Sequence, residues 1–247
     1  MTQATARPLA AHHGHPFARG QRLRRAAAWA SSAMAWASLA AAGLLALPAA
    51  AVTLGLTDSF SGGVAAGWTS GGGNPNPPTG VAGGGPGGAG DGYLRIDSSG
   101  VPGPGGRLVA FSSAPWAGNY SAAGITGITM DVKNLGATDL SLRLYFENAL
   151  TSAYSLLAIP LPAGSGWTPV HFDIRAPALS AAAAATLAST TDFRIYSSAL
   201  AVAPQGSPFV AASLGIDNVS AVPEPGAGLL MALGLAGLLA APALRRR

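Results

Sequence analysis

The 247-residue sequence contains no cysteine and little charge. The missing cysteines exclude disulfides, thiolate metal sites and cysteine nucleophiles together. Charged residues make up 10% of the chain, whereas average chains carry roughly 25%. Histidine is scarce too, and after residue 15 only His171 remains. A folded domain in this chain therefore depends on its apolar core, and it has few residues from which to build a catalytic site.

The basic residues are concentrated at the two ends of the chain. Of 14 lysines and arginines, five precede residue 26 and three close the chain at 245–247. Between residues 52 and 222 there are six basic and nine acidic residues, and six minus nine leaves −3. A nucleic-acid-binding domain needs a basic face on its folded surface. The sequence therefore predicts no nucleic-acid partner.

The N-terminal segment has the three parts of a secretory signal peptide. Residues 1–25 are polar and basic, residues 26–47 are apolar, and Pro48 precedes three alanines that end at Ala51. A positive region, an apolar region and small residues at a cleavage site mark a chain for export and for signal peptidase. The pattern predicts a signal peptide over 1–51, with Val52 as the new N-terminus. Retention of 26–47 as a membrane helix is the alternative.

The C-terminal segment has the pattern of a membrane-spanning helix followed by a cluster of basic residues. Residues 226–244 carry no charge, and 19 helical residues extend ~28 Å, close to the ~30 Å apolar core of a bilayer. Arg245, Arg246 and Arg247 follow at once. Positive residues stay on the cytoplasmic side. The segment therefore predicts a transmembrane helix over 226–244 that ends on the cytoplasmic side of the membrane.

A short proline motif stands directly before this span, at Pro223, Glu224 and Pro225. Two prolines around a glutamate continue neither a strand nor a helix, so the motif is extended and accessible. The motif, the apolar helix and the terminal arginines together resemble the PEP-CTERM sorting signal of Gram-negative bacteria. The resemblance covers 223–247 only. It implies processing by an exosortase-like enzyme, transient anchoring in the inner membrane, delivery to the cell surface or extracellular matrix, and association with exopolysaccharide or biofilm.

Residues 52–222 show the alternating apolar pattern of β-strands. In 139–147, leucines and Phe146 alternate with polar residues, which is typical of a half-buried strand. Similar alternation runs through 93–97, 107–111, 128–132, 154–159, 170–174, 192–196 and 214–220. These short strands predict an all-β antiparallel sandwich of the jelly-roll kind. The alanine run in 178–189 favours one short helix, and the Gly/Pro-rich stretch 69–92 predicts a flexible loop without a core of its own.

Residues 52–222 have Asp58-Ser59-Phe60 near the start, an aromatic-rich middle and the ending Ile216-Asp217-Asn218-Val219. This order resembles that of the jelly-roll carbohydrate-binding modules of bacterial surface proteins. The resemblance implies a structural calcium shared by Asp58 and Asp217, because hard cations bind carboxylate oxygens. Two solvated or turn-capping aspartates are the alternative.

Exposed aromatic rings offer flat apolar faces on which sugar rings stack. The candidate stacking residues are Trp116, Tyr120, Tyr145 and Tyr196. Packing of these rings inside the protein is the alternative.

Catalytic signatures are missing from 52–222. Glu147 is the only glutamate there, whereas glycoside hydrolysis uses a pair of carboxylates, and no Gly-x-Ser-x-Gly elbow occurs. The sequence predicts a non-enzymatic exported protein that binds extracellular polysaccharide. A structural or adhesive matrix protein that associates with itself is the main alternative, and an enzyme with an unrecognised site around His171, Asp173 and Glu147 is the other.

Overall fold

The computed structural model describes residues 51–223. The predicted signal peptide up to residue 50, Glu224, Pro225, the predicted span 226–244 and the terminal arginines lie outside these residues. Within 51–223, no helix is long and apolar enough to cross a membrane. The described residues form two antiparallel sheets that pack face to face, which confirms the predicted all-β sandwich.

Each sheet is built from both halves of the described chain. Sheet A contains β1 (Thr57–Asp58), β2 (Thr79–Val81), β3 (Tyr93–Ser99), β5 (Gly127–Asn134), β9 (Thr168–Asp173) and β11 (Ala211–Val222). Sheet B contains β4 (Val109–Ser112), β6 (Leu140–Glu147), β7 (Ser152–Tyr154), β8 (Ile159–Leu161) and β10 (Asp192–Ser197). The order is β2-β3-β11-β5-β9 in sheet A, with β1 on β11, and β4-β10-β6-β7 in sheet B, with β8 on β6.

This order is that of one long antiparallel ribbon rolled into a sandwich. Strand β3 pairs with β11, β4 with β10, β5 with β9, and β6 with β7 and β8, so the chain folds back on itself around the β6–β7 turn. Rolling then adds the contacts of β11 with β5 and of β10 with β6. A rolled ribbon of this kind is a jelly roll.

The core forms between the inward faces of the two sheets. In β6, Leu140, Leu142, Leu144 and Phe146 are all buried, as strand alternation requires. In β11, Ile216 and Val219 are both buried although three positions separate them. The register of β11 against β5 shifts between Asp217 and Ser220, and Asn218 has a positive φ of 51°. This bulge supplies the extra residue that returns the following side chains to the core.

An aromatic cluster closes one end of the core around a carboxylate. Trp68 and Trp116 are almost completely buried, and each donates its indole N–H to the same Oδ2 atom of Asp58 at 2.7 Å. Their rings contact Phe193 at centroid distances of 5.7 and 5.1 Å. Because β1 carries Asp58, these hydrogen bonds fasten the first strand to the core.

Two predicted segments differ in detail from the structure. The single α-helix of the described chain, α1 (Ala183–Leu187), lies within the predicted stretch 178–189 but is shorter. The stretch 69–92 is more ordered than a structureless loop, since it contains β2, which pairs with β3. Trp167 also holds it by donating its indole N–H to the Gly84 carbonyl at 2.8 Å. The predicted loop therefore contains one short strand that is paired with sheet A.

All buried apolar side chains of the described region lie between Val52 and Ala221. The fragment 52–222 therefore carries the whole sandwich core. In this fragment, Asp58→Ala should lower the free energy of unfolding by about 3 kcal/mol, because two buried donors lose a charged acceptor. Urea denaturation measures the change.

The matched control is Asp97→Ala, which removes a partly exposed carboxylate paired with Arg95. Exposed ion pairs contribute less than ~1 kcal/mol. An equal loss of stability in the two variants would contradict the proposed role of Asp58.

Candidate functional site

The outer face of sheet B carries a row of aromatic rings interrupted by one arginine. Strand register places Phe111 beside Arg194, Arg194 beside Tyr145, and Tyr145 beside Tyr154. The row crosses all four strands of the path β4-β10-β6-β7. At a strand spacing of ~4.8 Å it extends about 14 Å. We call these four residues the aromatic row.

The arginine of the aromatic row lies between two rings. The Arg194 guanidinium carbon is 5.1 Å from the Phe111 ring centroid and 5.4 Å from that of Tyr145. Arg194 also forms an ion pair with Glu147, whose second oxygen accepts the Tyr145 hydroxyl at 2.9 Å. Burial lowers the pKa of Arg194 from its ordinary value, although a guanidinium stays protonated in proteins. These contacts give the row a fixed geometry.

The row is recessed rather than prominent. Phe111, Arg194 and Tyr154 are half-buried, and Tyr145 is buried at 4% exposure. A cavity of about 180 Å³ opens beside Arg194. It is lined by Ser70, Asn74, Gly103, Gly105, Arg107, Val109, Arg194, Pro204 and Gln205. We call this the arginine pocket. Its lining is mostly polar, with Val109 and Pro204 as the apolar side chains.

A second arginine on this face has a structural role. Arg143 is 4% exposed and donates hydrogen bonds to four backbone carbonyls, of Ser155, Leu156, Ser198 and Ala199. Buried charges are tolerated when they are fully hydrogen-bonded. Arg143 therefore joins the segments after β7 and β10 and is not available to a ligand.

The four predicted stacking residues are all buried, so the prediction that they form an exposed stacking surface is wrong. Strand alternation does place Tyr145 and Tyr196 on the outer face of sheet B. However, Tyr196 is fully buried and donates its hydroxyl to the Val202 carbonyl at 2.6 Å. Trp116 belongs to the aromatic cluster around Asp58. Tyr120 packs on Phe146 at a centroid distance of 5.2 Å and donates its hydroxyl to a backbone carbonyl.

Four residues of this face were not predicted from the sequence as site residues: Phe111, Tyr154, Arg107 and Arg194. Alternation within β10 was sufficient to place Arg194 on the outer face. That Phe111 and Tyr154 complete the same row depends on the register of β4 against β10 and of β7 against β6. The register of β4 against β10 joins strands that are distant in sequence, so it is a tertiary property that sequence periodicity does not specify.

The two aspartates predicted to share calcium, Asp58 and Asp217, have different surroundings in the structure. The Oδ2 atom of Asp58 already accepts two indole N–H groups. The acidic neighbours of Asp217 are Asp91 and Asp131. Between residues 51 and 223, no three histidine or acidic side chains are arranged to hold a metal ion. Asp58 therefore stabilises the aromatic cluster through its Oδ2 atom, and a calcium ion shared with Asp217 stays a prediction.

Asp217 is instead a buried carboxylate with one unpartnered oxygen. It is 0% exposed, and its Oδ2 atom has no hydrogen-bond partner. Burial raises the pKa of Asp217 from 3.8 to about 6, against the effect of the Asn218 N–H that donates to it. The charges of Asp91 and Asp131 raise the pKa further. Asp217 therefore binds its proton at a higher pH in the folded protein than in the unfolded chain.

The residues considered for catalysis do not share a cleft. His171 and Asp173 belong to β9 in sheet A, whereas Glu147 belongs to β6 in sheet B. His171 lines a separate cavity of about 410 Å³ on sheet A, together with Asp131 and Asn218. Asp173 forms an ion pair with Arg175. This dispersal gives no support to the alternative of an enzyme site built from these three residues.

Comparison with known proteins gives structural neighbours only. No family model matches the chain, and no curated protein matches it. Similar solved structures include an exo-beta-agarase (10% identity, TM-score 0.49). A family 11 carbohydrate-binding module from Clostridium thermocellum, in complex with a β-1,3-1,4-mixed-linked tetrasaccharide, is also similar (14%, 0.44). A third is the N-terminal tandem of two CBM22 domains from Paenibacillus barcinonensis (14%, 0.42).

Each of these alignments covers 70% of the present chain. The alignments cover 25% of the agarase chain, 98% of the family 11 module and 48% of the tandem. The chain thus spans about a quarter of the length of the agarase. At such identities the similarity concerns the fold, so the function rests on the geometry of the aromatic row and the arginine pocket.

The pKa of Asp217 predicts a pH-dependent stability. Because the folded-state pKa lies above the ordinary 3.8, this group favours folding most below about pH 4, and its contribution is lost as the pH rises through about 6. Between these limits wild-type 52–222 should lose about 3 kcal/mol relative to Asp217→Asn. Urea unfolding at several pH values measures the difference.

Asp139→Asn is the control, since Asp139 is an exposed aspartate at the start of β6. Its stability profile should run parallel to that of the wild type. If Asp217→Asn also follows the wild-type profile, Asp217 is not protonated on folding.

Proposed function

We propose that residues 52–222 bind polysaccharide along the outer face of sheet B, and that the protein is not an enzyme. The observation that carries the proposal is the aromatic row, which crosses four strands beside a polar pocket and has a half-buried ring at each end, Phe111 and Tyr154. Apolar ring faces suit the C–H faces of sugars, and Glu147 and the arginines suit sugar hydroxyls. The row extends about 14 Å, so it suits a chain of sugars better than a single unit.

The recessed position of the row supports binding of an extended chain. Half-buried rings already packed against neighbours lose little side-chain entropy when a ligand binds. The ion pair of Arg194 with Glu147 and the hydroxyl of Tyr145 hold the central part of the row. The outer members, Phe111 and Tyr154, have the greater exposed area and are the residues to test.

Binding of 52–222 to the host's own exopolysaccharide should weaken in Phe111→Ala and Tyr154→Ala. Loss of one stacking ring should raise Kd about tenfold, equivalent to ~1.4 kcal/mol. Affinity gel electrophoresis in the presence of the polysaccharide measures the change. Tyr93→Ala is the matched control, because Tyr93 is also half-buried but lies on sheet A against Trp167.

Equal weakening by Tyr93→Ala would exclude the outer face of sheet B as the binding surface. An absence of binding to the host polysaccharide would reject glycan binding. Self-association is favoured if 52–222 then assembles with rising concentration and without sugar. Leu150 and Leu157, which are 93% and 83% exposed, are the apolar side chains that suit such contacts.

We also propose that the chain is exported, anchored through 226–244 and then sorted to the cell surface or matrix by an exosortase-like enzyme. The order of the segments supports this route. The last strand ends at Val222, and the motif begins at the exposed Pro223. A processing enzyme at the membrane surface would therefore reach the motif without unfolding the sandwich.

The mass of the mature protein from its host tests this route. It should correspond to an N-terminus at Val52 after signal peptidase cleavage, and to loss of the residues that follow the Pro223–Pro225 motif. Intact-mass spectrometry measures both ends, and replacement of Arg245, Arg246 and Arg247 by serine should leave unprocessed precursor. A mature protein that retains 226–247 would contradict sorting by removal of the helix.

A further inference from the structure

We infer that the polysaccharide bound at this face is acidic, and that the arginine pocket receives the carboxylate of a uronic acid unit. The inference rests on the proposed glycan binding and names the ligand class of the same surface. Two guanidinium groups, of Arg107 and Arg194, line the pocket. No carboxylate is among its lining residues within the described chain. A pocket with two cations and no lining anion is suited to a negatively charged group.

The guanidinium of Arg107 is held in one orientation, but no carboxylate of the described residues pairs with its charge. Its Nε atom donates to the Ser207 carbonyl at 2.6 Å, and its guanidinium carbon lies 3.8 Å from the Phe209 ring centroid. Its two terminal nitrogens have no hydrogen-bond partner among residues 51–223, and it forms no ion pair there. The guanidinium plane of Arg107, stacked on Phe209, is therefore held in place, and its two terminal nitrogens stay available. Such a fork binds a carboxylate through two parallel hydrogen bonds.

Arg194 supplies the second positive charge and connects the pocket to the aromatic row. Its partner Glu147 is already engaged on both oxygens, by Arg194 and by the Tyr145 hydroxyl. Glu147 therefore balances one of the two guanidinium charges and leaves that of Arg107 unbalanced. A sugar ring lying along the row beside Arg194 places its carboxylate substituent in the adjacent pocket.

The charge of the remaining domain makes the pocket selective. Residues 52–222 carry −3 in total, from six basic and nine acidic residues. An acidic chain is therefore repelled by the net negative charge of the domain and attracted to the recess that two arginines line. Like-charge repulsion elsewhere and local complementarity determine where such a partner binds.

The experiment compares purified 52–222 on three probes in affinity gels or by calorimetry. The probes are a polyuronate such as alginate, a neutral dextran, and sulfated dextran. The wild type should bind the polyuronate at least tenfold more tightly than the neutral glycan, and added salt should reduce the difference. Arg107→Gln should lower the ratio of polyuronate to neutral affinity about tenfold. Arg95→Gln, an exposed arginine on sheet A, should leave the ratio unchanged.

A second variant keeps the test valid if Arg107→Gln does not fold. Gln205 is an exposed lining residue of the pocket, so Gln205→Glu adds a negative charge there without removing a buried group. It should lower the same ratio. Arg107→Lys keeps the positive charge but lacks the planar guanidinium that binds a carboxylate through two hydrogen bonds. It should therefore bind the polyuronate more weakly than the wild type does.

The outcomes separate the two proposals. If the neutral glycan binds as tightly as the polyuronate and Tyr154→Ala weakens both, glycan binding stands and the acidic ligand is overturned. If sulfated dextran alone binds, the pocket takes sulfate and the uronic acid is overturned. If none of the probes and no host polysaccharide binds, both proposals fail. Selective loss of polyuronate affinity in Arg107→Gln and Gln205→Glu supports the inference.

Discussion

The register between β6 and β10 is the constraint on which both the core and the candidate site depend. It places Phe146 opposite Phe193 on the inner face, where their rings stack at a centroid distance of 5.2 Å. It also places Tyr145 opposite Arg194 on the outer face. A slip of one residue would turn the phenylalanines outward and bury the arginine. The cost of burying an unpaired charge therefore selects the register that also builds the aromatic row.

Three arginines on the same side of sheet B have different roles because their partners differ. Arg143 is surrounded by carbonyls and holds two chain segments together. Arg194 is balanced by Glu147 and supported by rings on both sides. Arg107 has one backbone contact and one ring, and it retains its free fork. In a chain with so little charge, the position of each guanidinium decides whether it stabilises the fold or remains available to a ligand.

Strand periodicity predicted most of the architecture, and it failed for aromatic residues outside the regular strands. The alternation in 139–147 located β6 and its inward face correctly. Trp116 and Tyr120 follow a proline in a loop, and loops usually lie at the surface. Trp116 is buried where the first strand brings Asp58 to the core and its carboxylate accepts the indole N–H, and Tyr120 is buried against Phe146. A contact between residues 58 positions apart leaves no local pattern in the sequence.

The sequence by itself determined the fold class, because alternation with period two has one physical solution in a half-buried sheet. It also predicts the membrane span and its orientation, because these depend on the length of one apolar stretch and on the charges beside it. The tertiary structure alone decided which polar and aromatic groups meet. It assigned Asp58 to two indoles and left the Oδ2 atom of Asp217 without a partner. It also aligned Phe111, Arg194, Tyr145 and Tyr154 in one row. These contacts join strands that are distant in sequence, so they exist only once the ribbon has rolled and its register is set.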